Sequence, residues 1–387
     1  MSEPATDTEA TRGQDVDDLR VRLTWARIAE PQDKLARRLI EQWGLRQALE
    51  RVQTSISRGG GKESGIEVDI GARFAARLAH VDVDRELEMA AKVGAVILLP
   101  GQPGWPSRLD ELEHPPWALW SRGEQSPAVA CHRSISIVGA RASTHYGDRE
   151  ASSLAGELCD QGFSIVSGAA YGIDAAAHRG ALAAGGRTLA FLACGVDRAY
   201  PARHSNLLAQ VAENGAVLSE VPPGAAPLRT RFLARNRLIA AASVGTVMVE
   251  AGLRSGARST VSEAVALNRP VGALPGPVTS MVSAGCHEEI RAGRAVLVTD
   301  AAEVRDLCGA IGEDLAPPKN GPHRSHDGLE GLELRVWECL RPPGRRGMDV
   351  EEVTRVAGLS ALEALSALGR LEASGRVRRE GLQWQRV

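Results

Sequence analysis

Arginines set beside glycines dominate the chemistry that this chain could perform. The clearest case is Ile135-Ser136-Ile137-Val138-Gly139-Ala140-Arg141-Ala142-Ser143-Thr144-His145-Tyr146-Gly147. Residues 135–138 read as a buried strand, Gly139 opens a tight turn, and Ser143–Tyr146 leads into a helix. A helix start at the end of a parallel strand points backbone N–H groups outward and favours negative charge. Arg141 adds a planar, permanently charged fork suited to phosphate. An ordinary turn whose arginine forms a salt bridge elsewhere would read the same way in isolation.

Three further windows repeat this logic. The strand at Ser164–Val166 runs into Ser167-Gly168-Ala169-Ala170-Tyr171-Gly172-Ile173-Asp174, in which Gly168 and Gly172 permit close approach or positive φ. Asp174 is placed to cap the next helix, and His178 follows four residues later, as a helix histidine packed on a sheet or as a site residue. Arg229-Thr230-Arg231-Phe232-Leu233-Ala234-Arg235-Asn236-Arg237 holds four arginines in nine residues. Guanidinium forks with a stacking ring suit single-stranded nucleic acid, and a solvated helix face is the alternative. Glu250 to Thr260 follows another strand and supplies short donors at Ser255, Gly256, Ser259 and Thr260. Glu250 could be a catalytic carboxylate, but with no second carboxylate nearby it reads better as the structural partner of an arginine. At one sheet edge these turns describe an arginine-rich groove fitted to an extended polyanion.

The elements needed to position these residues are legible around them. The chain has 387 residues, 43% hydrophobic and only 4% aromatic, with a formal charge of -2, so any nucleic-acid site must be a local patch. Its six cysteines lack any C-x-x-C pair and read as buried thiols of a reducing cytosol. No apolar run reaches a membrane span, residues 1–18 are acidic and polar and are expected to be disordered, and the localisation expected is cytoplasmic. Helical patterns at Val21–Ile28, Gln32–Trp43 and Gly71–His80 predict a helical module over 19–90, interrupted by a flexible loop at Arg58–Ser64. Short apolar strands at 95–99, 135–138, 164–167, 188–193, 216–219, 246–249, 271–274 and 295–298 alternate with helices over 94–310. That alternation predicts an α/β fold with a Rossmann-like parallel sheet, without the G-x-G-x-x-G dinucleotide signature. Residues 311–327 read as a linker, and 328–387 as three helices and a hairpin, the pattern of a winged helix with basic Arg376, Arg378, Arg379 and Arg386. Ser360 and Glu363 are spaced as a capping box.

Taken in order, several of these motifs resemble the DNA-processing protein A family (DprA, also called Smf). They are Ser136–Arg141, Ser167–His178, Gly195-Val196-Asp197-Arg198-Ala199-Tyr200-Pro201, Ser219-Glu220, Phe232–Arg237, Val249-Glu250-Ala251, Ser255-Gly256 and Pro275-Gly276. The resemblance covers residues 95–305, and the flanks are similar to the family's additions, an N-terminal SAM-like module and a C-terminal winged helix. It implies an extended Rossmann-like core, a homodimer, and a non-catalytic protein that binds single-stranded DNA and loads RecA recombinase in transformation or recombination. It implies that Arg141 holds a phosphate, that Gly139 and Ala140 offer backbone donors, and that Phe232, Arg235, Asn236 and Arg237 line the same groove. The nucleic-acid-binding set expected is therefore Gly139, Ala140, Arg141, Ser167, Gly168, Arg231, Phe232, Arg235, Asn236, Arg237, Ser255 and Gly256, with no metal and no cofactor. Two other readings compete. One is a nucleoside-monophosphate phosphoribohydrolase, since the lysine-decarboxylase-like (LOG) enzymes resemble this domain and Gly245-Thr246 and Glu250 fit part of their motif. The other is a regulator that binds duplex DNA through the winged helix.

Overall fold

A computed structural model describes residues 6–59, 69–123, 125–319 and 324–387. Residues up to 316 form one compact unit and residues from 317 a second. The first unit begins with five helices, α1 (Thr6–Ile28), α2 (Lys34–Trp43), α3 (Leu45–Ser57), α4 (Ile70–Leu78) and α5 (Val83–Lys92). Helix α1 starts at Thr6, so the stretch expected to be disordered is helical from there. The loop expected at Arg58–Ser64 lies outside the described residues beyond Gly59. Aspartates start three of these helices: Asp33, Asp69 and Asp82 each accept backbone N–H groups of the first turn. Trp25, Leu39, Val52 and Phe74 are fully buried at the centre of the module.

The sheet follows. Its strands are β1 (Ala95–Leu98), β2 (Leu119–Arg122), β3 (Ser134–Val138), β4 (Ser164–Ser167), β5 (Thr188–Phe191), β6 (Ala216–Ser219), β7 (Gly245–Met248), β8 (Val271–Ala273) and β9 (Val296–Leu297). Between them run α6 (Pro127–His132), α7 (His145–Asp160), α8 (Ile173–Ala183), α9 (Ser205–Asn214), α10 (Arg229–Ala242), α11 (Ala257–Ala266), α12 (Ala284–Arg291) and, last, α13 (Ala301–Cys308). The strand order is β1-β2-β6-β5-β4-β3-β7-β8-β9. From β6 to β9 all neighbours are parallel, whereas β1 and β2 attach antiparallel at one side. The central strands are buried on both faces, which is why their sequences are uniformly apolar. This is the α/β, Rossmann-like parallel core expected. Strand β2 was not expected; it follows closely on Pro115, Pro116 and Trp117.

Four of the six cysteines are buried, two are half-buried, and all are free thiols. Burial pushes Cys131 up to about 12. Among the described residues no helix is long and apolar enough to cross a membrane.

The second unit holds α14 (Gly331–Cys339), α15 (Val350–Ala357), α16 (Ala361–Ala373) and a hairpin of β10 (Val377–Glu380) and β11 (Gln383–Arg386). Ser360 and Glu363 close the capping box at the start of α16. Val336, Val353, Ala364, Leu368 and Leu371 fill this unit's core.

Candidate nucleic-acid interface

The chain runs from β3 outward through β4, β5 and β6, then returns to the other side of β3 as β7. At such a switch point the loops after neighbouring strands diverge and leave a crevice at their carboxyl ends. Here the crevice is a cleft of about 500 Å³. Its walls come from the β3 turn (Gly139–Ala142), the β4 loop (Ala170, Asp174), α10 (Phe232, Arg235, Asn236) and the segment after β7 (Gly252, Arg254–Ala257, Thr260).

The β4 loop is braced from beneath. Asp174, in the first turn of α8, is buried and accepts the N–H groups of Gly168 (3.2 Å) and Ala170 (3.4 Å). It therefore serves the loop, whereas a helix cap was expected, and Gly172 occupies the N-cap position. Burial pushes the Asp174 carboxyl up, against the opposing pull of Arg235 and the two N–H groups. His204 places Nδ1 2.9 Å from the carbonyl of Ala169, a residue held at φ +54°. Gly172 has φ +74°, and a Cβ there would stand 2.2 Å from the Ala140 carbonyl oxygen, so this turn requires glycine.

Three arginines line the cleft, Arg141, Arg235 and Arg254, and the first two are of unlike character. Arg235 is 4% exposed; Nη1 donates to the Phe191 carbonyl at 2.6 Å, and Nε, buried, has no partner. Its guanidinium lies under Gly168, where any side chain would collide with it. Burial lowers its pKa to about 10, so it stays charged at neutral pH. No carboxylate among the described residues lies within ion-pair distance of it, although Asp174 acts on it electrostatically. Arg141 is exposed and stacks over Phe232, 4.9 Å from the ring centroid. The Tyr200 and Phe232 ring centroids are 5.3 Å apart with their planes tilted by 51°, so the guanidinium and two rings form one aromatic cluster.

The expected residues divide. Gly139, Ala140, Arg141, Phe232, Arg235, Asn236, Ser255 and Gly256 come together around the cleft. Asn236 braces it by donating Nδ2 to the Gly256 carbonyl at 3.2 Å, and Ser255 Oγ accepts the Ala257 N–H. The backbone donor expected of Ala140 is already used: its N–H donates to the Glu250 carbonyl at 2.6 Å. Ser167 does not reach the cleft, because its buried hydroxyl donates to the Ile137 carbonyl and ties β4 to β3. Gly168 makes room for Arg235 and spends its N–H on Asp174. Arg231 turns away and grips Glu30 with Nε (2.8 Å) and Nη2 (2.9 Å). Arg237, 2% exposed, is ion-paired with Glu220, which is also buried.

Glu250 corrects another expectation. Its carboxylate accepts the Thr144 N–H (2.9 Å) and hydroxyl (2.7 Å) and packs on Gly147, so its partner is the start of α7 and not an arginine. His178 is fully buried, with Nδ1 2.7 Å from Thr188 Oγ1 against the sheet. Burial, reinforced by Arg235, lowers its pKa to about 3. Arg254, on the cleft wall and exposed, was missed, although it stands in the flagged Glu250–Thr260 window. Tyr200 was quoted only as part of a motif; its place beside Phe232 depends on tertiary structure. In the second unit the basic hairpin is engaged internally. Arg376 donates to the Asp327 carbonyl, Arg378 pairs with Glu380, Arg379 donates to the Gly381 carbonyl, and Arg386 donates to the carbonyls of Trp337 and Glu338.

Comparison with known proteins places this geometry in context. The model of the family described as DNA recombination-mediator protein A matches residues 96–309. A Mycobacterium tuberculosis protein described as a DNA processing protein, DprA, is 39% identical over 378 residues, covering 93% of each chain. The crystal structure of DNA processing protein A from Streptococcus pneumoniae superposes with a TM-score of 0.59 at 28% identity, covering 73% of this chain and 94% of that one. A structure of the Helicobacter pylori protein, reported for its single-stranded DNA binding mode, gives a TM-score of 0.50 at 30% identity, over 54% of this chain and 93% of that one.

Proposed function

Because this chain belongs to the DNA recombination-mediator protein A family, we propose that its cleft binds single-stranded DNA without sequence choice. The protein would load RecA recombinase on that strand during transformation or homologous recombination, acting in the cytoplasm as a homodimer and without catalysis. The observation that carries this reading is Arg235. It is a buried guanidinium on the cleft wall that contacts no carboxylate among the described residues, with the exposed Arg141 and the Phe232 ring alongside. A phosphate entering the cleft supplies the counter-charge, and the ring accepts a base of any identity. The single-strand binding reported for the H. pylori relative supports the same choice of ligand.

The phosphoribohydrolase reading needs Glu250 free to act on a nucleotide, and this carboxylate is 2% exposed and committed to Thr144. Fluorescence anisotropy of a labelled oligonucleotide, titrated at several salt concentrations against matched duplex, tests the proposal. Salt-steep, sequence-indifferent binding that prefers the single strand is expected. Preference for duplex, or release of free base from a nucleoside monophosphate, would overturn it.

A further inference from the structure

Helix α10 carries Phe232 and Arg235 into the cleft, yet it enters without a side-chain cap: its N-cap is Leu228. A long-range restraint on its first turn comes from the helical module, more than 190 positions earlier in the chain. Glu30, in the turn after α1, accepts both Nε and Nη2 of Arg231, the residue before Phe232. Arg231 in turn donates Nη1 to the Ala226 carbonyl at 2.8 Å, and Arg27 donates to the Pro223 carbonyl at 3.2 Å. The approach to α10 is thus held on one side from α1 and the turn that follows it, and on another by the loop after β5, where the Gly195 N–H donates to the Ala225 carbonyl (3.1 Å) and Asp197 accepts the Gly224 N–H (2.9 Å).

Glu30 is suited to this task. Burial raises its pKa, but Arg231 and then Arg77 outweigh burial and hold the carboxyl below its usual range. The pairing with Arg231 is bidentate, which fixes orientation as well as distance. A cavity of about 220 Å³ lies between Ala26–Glu30 and Val221–Arg231, so apolar packing does not by itself lock the two segments.

We propose that Glu30 is a positioning residue for the nucleic-acid cleft: through Arg231 it sets the first turn of α10, and so the placement of Phe232 against Arg141. The inference rests on the single-stranded DNA reading of the cleft. It assigns the helical module a task that needs no contact with DNA.

The test uses the full chain, labelled single-stranded oligonucleotide and anisotropy at 50 and 200 mM salt. Glu30→Gln and Arg231→Ala are each expected to weaken binding about tenfold, with the double variant no worse than either, since contacting residues couple non-additively. The salt slope should stay unchanged, because neither residue touches phosphate. Arg77→Ala shares Glu30 but does not touch α10. It should lower the urea midpoint and leave DNA affinity intact, which separates positioning from general support of the module. Wild-type binding by Glu30→Gln would overturn the inference. So would tighter binding with a steeper slope, which would make Glu30 a shield that withholds Arg231 from the strand. Equal weakening by Arg77→Ala would overturn it as well. Arg141→Ala, run in parallel, tells the two failures apart. If Arg141→Ala weakens binding and Glu30→Gln does not, only the positioning role falls; if Arg141→Ala is silent, the cleft assignment falls and takes the positioning role with it.

Discussion

Replacing Arg141 by alanine should weaken single-strand binding without disturbing the fold. Arg141 is exposed and has no carboxylate partner among the described residues; its guanidinium rests on the Phe232 ring. Its removal therefore strands no buried group. A charge-assisted hydrogen bond to phosphate contributes about 1.5 kcal/mol at the weak end of its range, and an exposed side chain belongs at that end. That corresponds to a loss of about tenfold. Loss of the cation–π contact adds about 0.5 kcal/mol through a less ordered Phe232. The salt dependence is a separate readout. Each phosphate neutralised on a single strand contributes about 0.7 to the slope of log affinity on log salt, so a fourfold rise from 50 to 200 mM should shrink the wild-type advantage about 2.6-fold. Anisotropy with oligonucleotides of several sequences measures both, and the loss should be the same for each. Superposable curves for variant and wild type at both salts would refute the assignment of a phosphate to this turn.

Three further outcomes follow from the same geometry. Gly172→Ala should cost about 2 kcal/mol or more in urea unfolding, since it combines φ +74° with a Cβ 2.2 Å from the Ala140 carbonyl; an unchanged midpoint would show that the turn relaxes freely. His178 binds its proton with a pKa of about 3 folded against an ordinary 6.5 unfolded. The unfolded chain therefore takes up more protons between those values, and stability should fall as pH drops below about 6.5, by at most about 1.4 kcal/mol per pH unit. His178→Gln should flatten that part of the urea-midpoint profile, and an equally steep profile in the variant would place the titration elsewhere. Arg378→Ala with Arg379→Ala should leave duplex affinity unchanged, because both side chains are engaged within the hairpin; a drop of tenfold in anisotropy would restore the winged-helix reading.

The parallel core was legible because its strands are buried on both faces and so read as short, uniformly apolar runs, set apart by longer stretches with helical patterns. Strand β2 escaped because Leu119–Arg122 follows Pro115, Pro116 and Trp117 and is only four residues long; it pairs through Trp120 with Ser219, about a hundred positions away. The site shows the same limit more sharply. Arg231 and Arg235 share a helix face by spacing, and both read as groove residues. What separates them is Glu30, 201 positions from Arg231, and Gly168 with Phe191, which make room for Arg235 and accept from it. Glu250 reads as a carboxylate in need of an arginine, and its real partner is Thr144, 106 positions earlier. Residue type and spacing identified where charge gathers. Which charges were already neutralised depended on partners distant in sequence.

That distinction bears on what the cleft is for. Arg235 and Arg237 lie two residues apart on α10, both nearly inaccessible to solvent. Arg237 is neutralised by Glu220 in contact, and a buried pair of this kind contributes little net stability but is costly to break. Arg235 has one backbone carbonyl and a carboxylate acting from a distance. A fold that needed only structure from α10 could treat both positions alike. Leaving one guanidinium without a contacting carboxylate, on the wall of a cleft, keeps a field directed at solvent, and burial in low dielectric makes that field stronger for any anion that enters. Arg141 and Phe232 stand at the same cleft with a charge and a ring that water still reaches. The fixed charge favours phosphate within the cleft and the ring beside it accepts a base, which together match the repeating unit of a single strand better than an isolated phosphate.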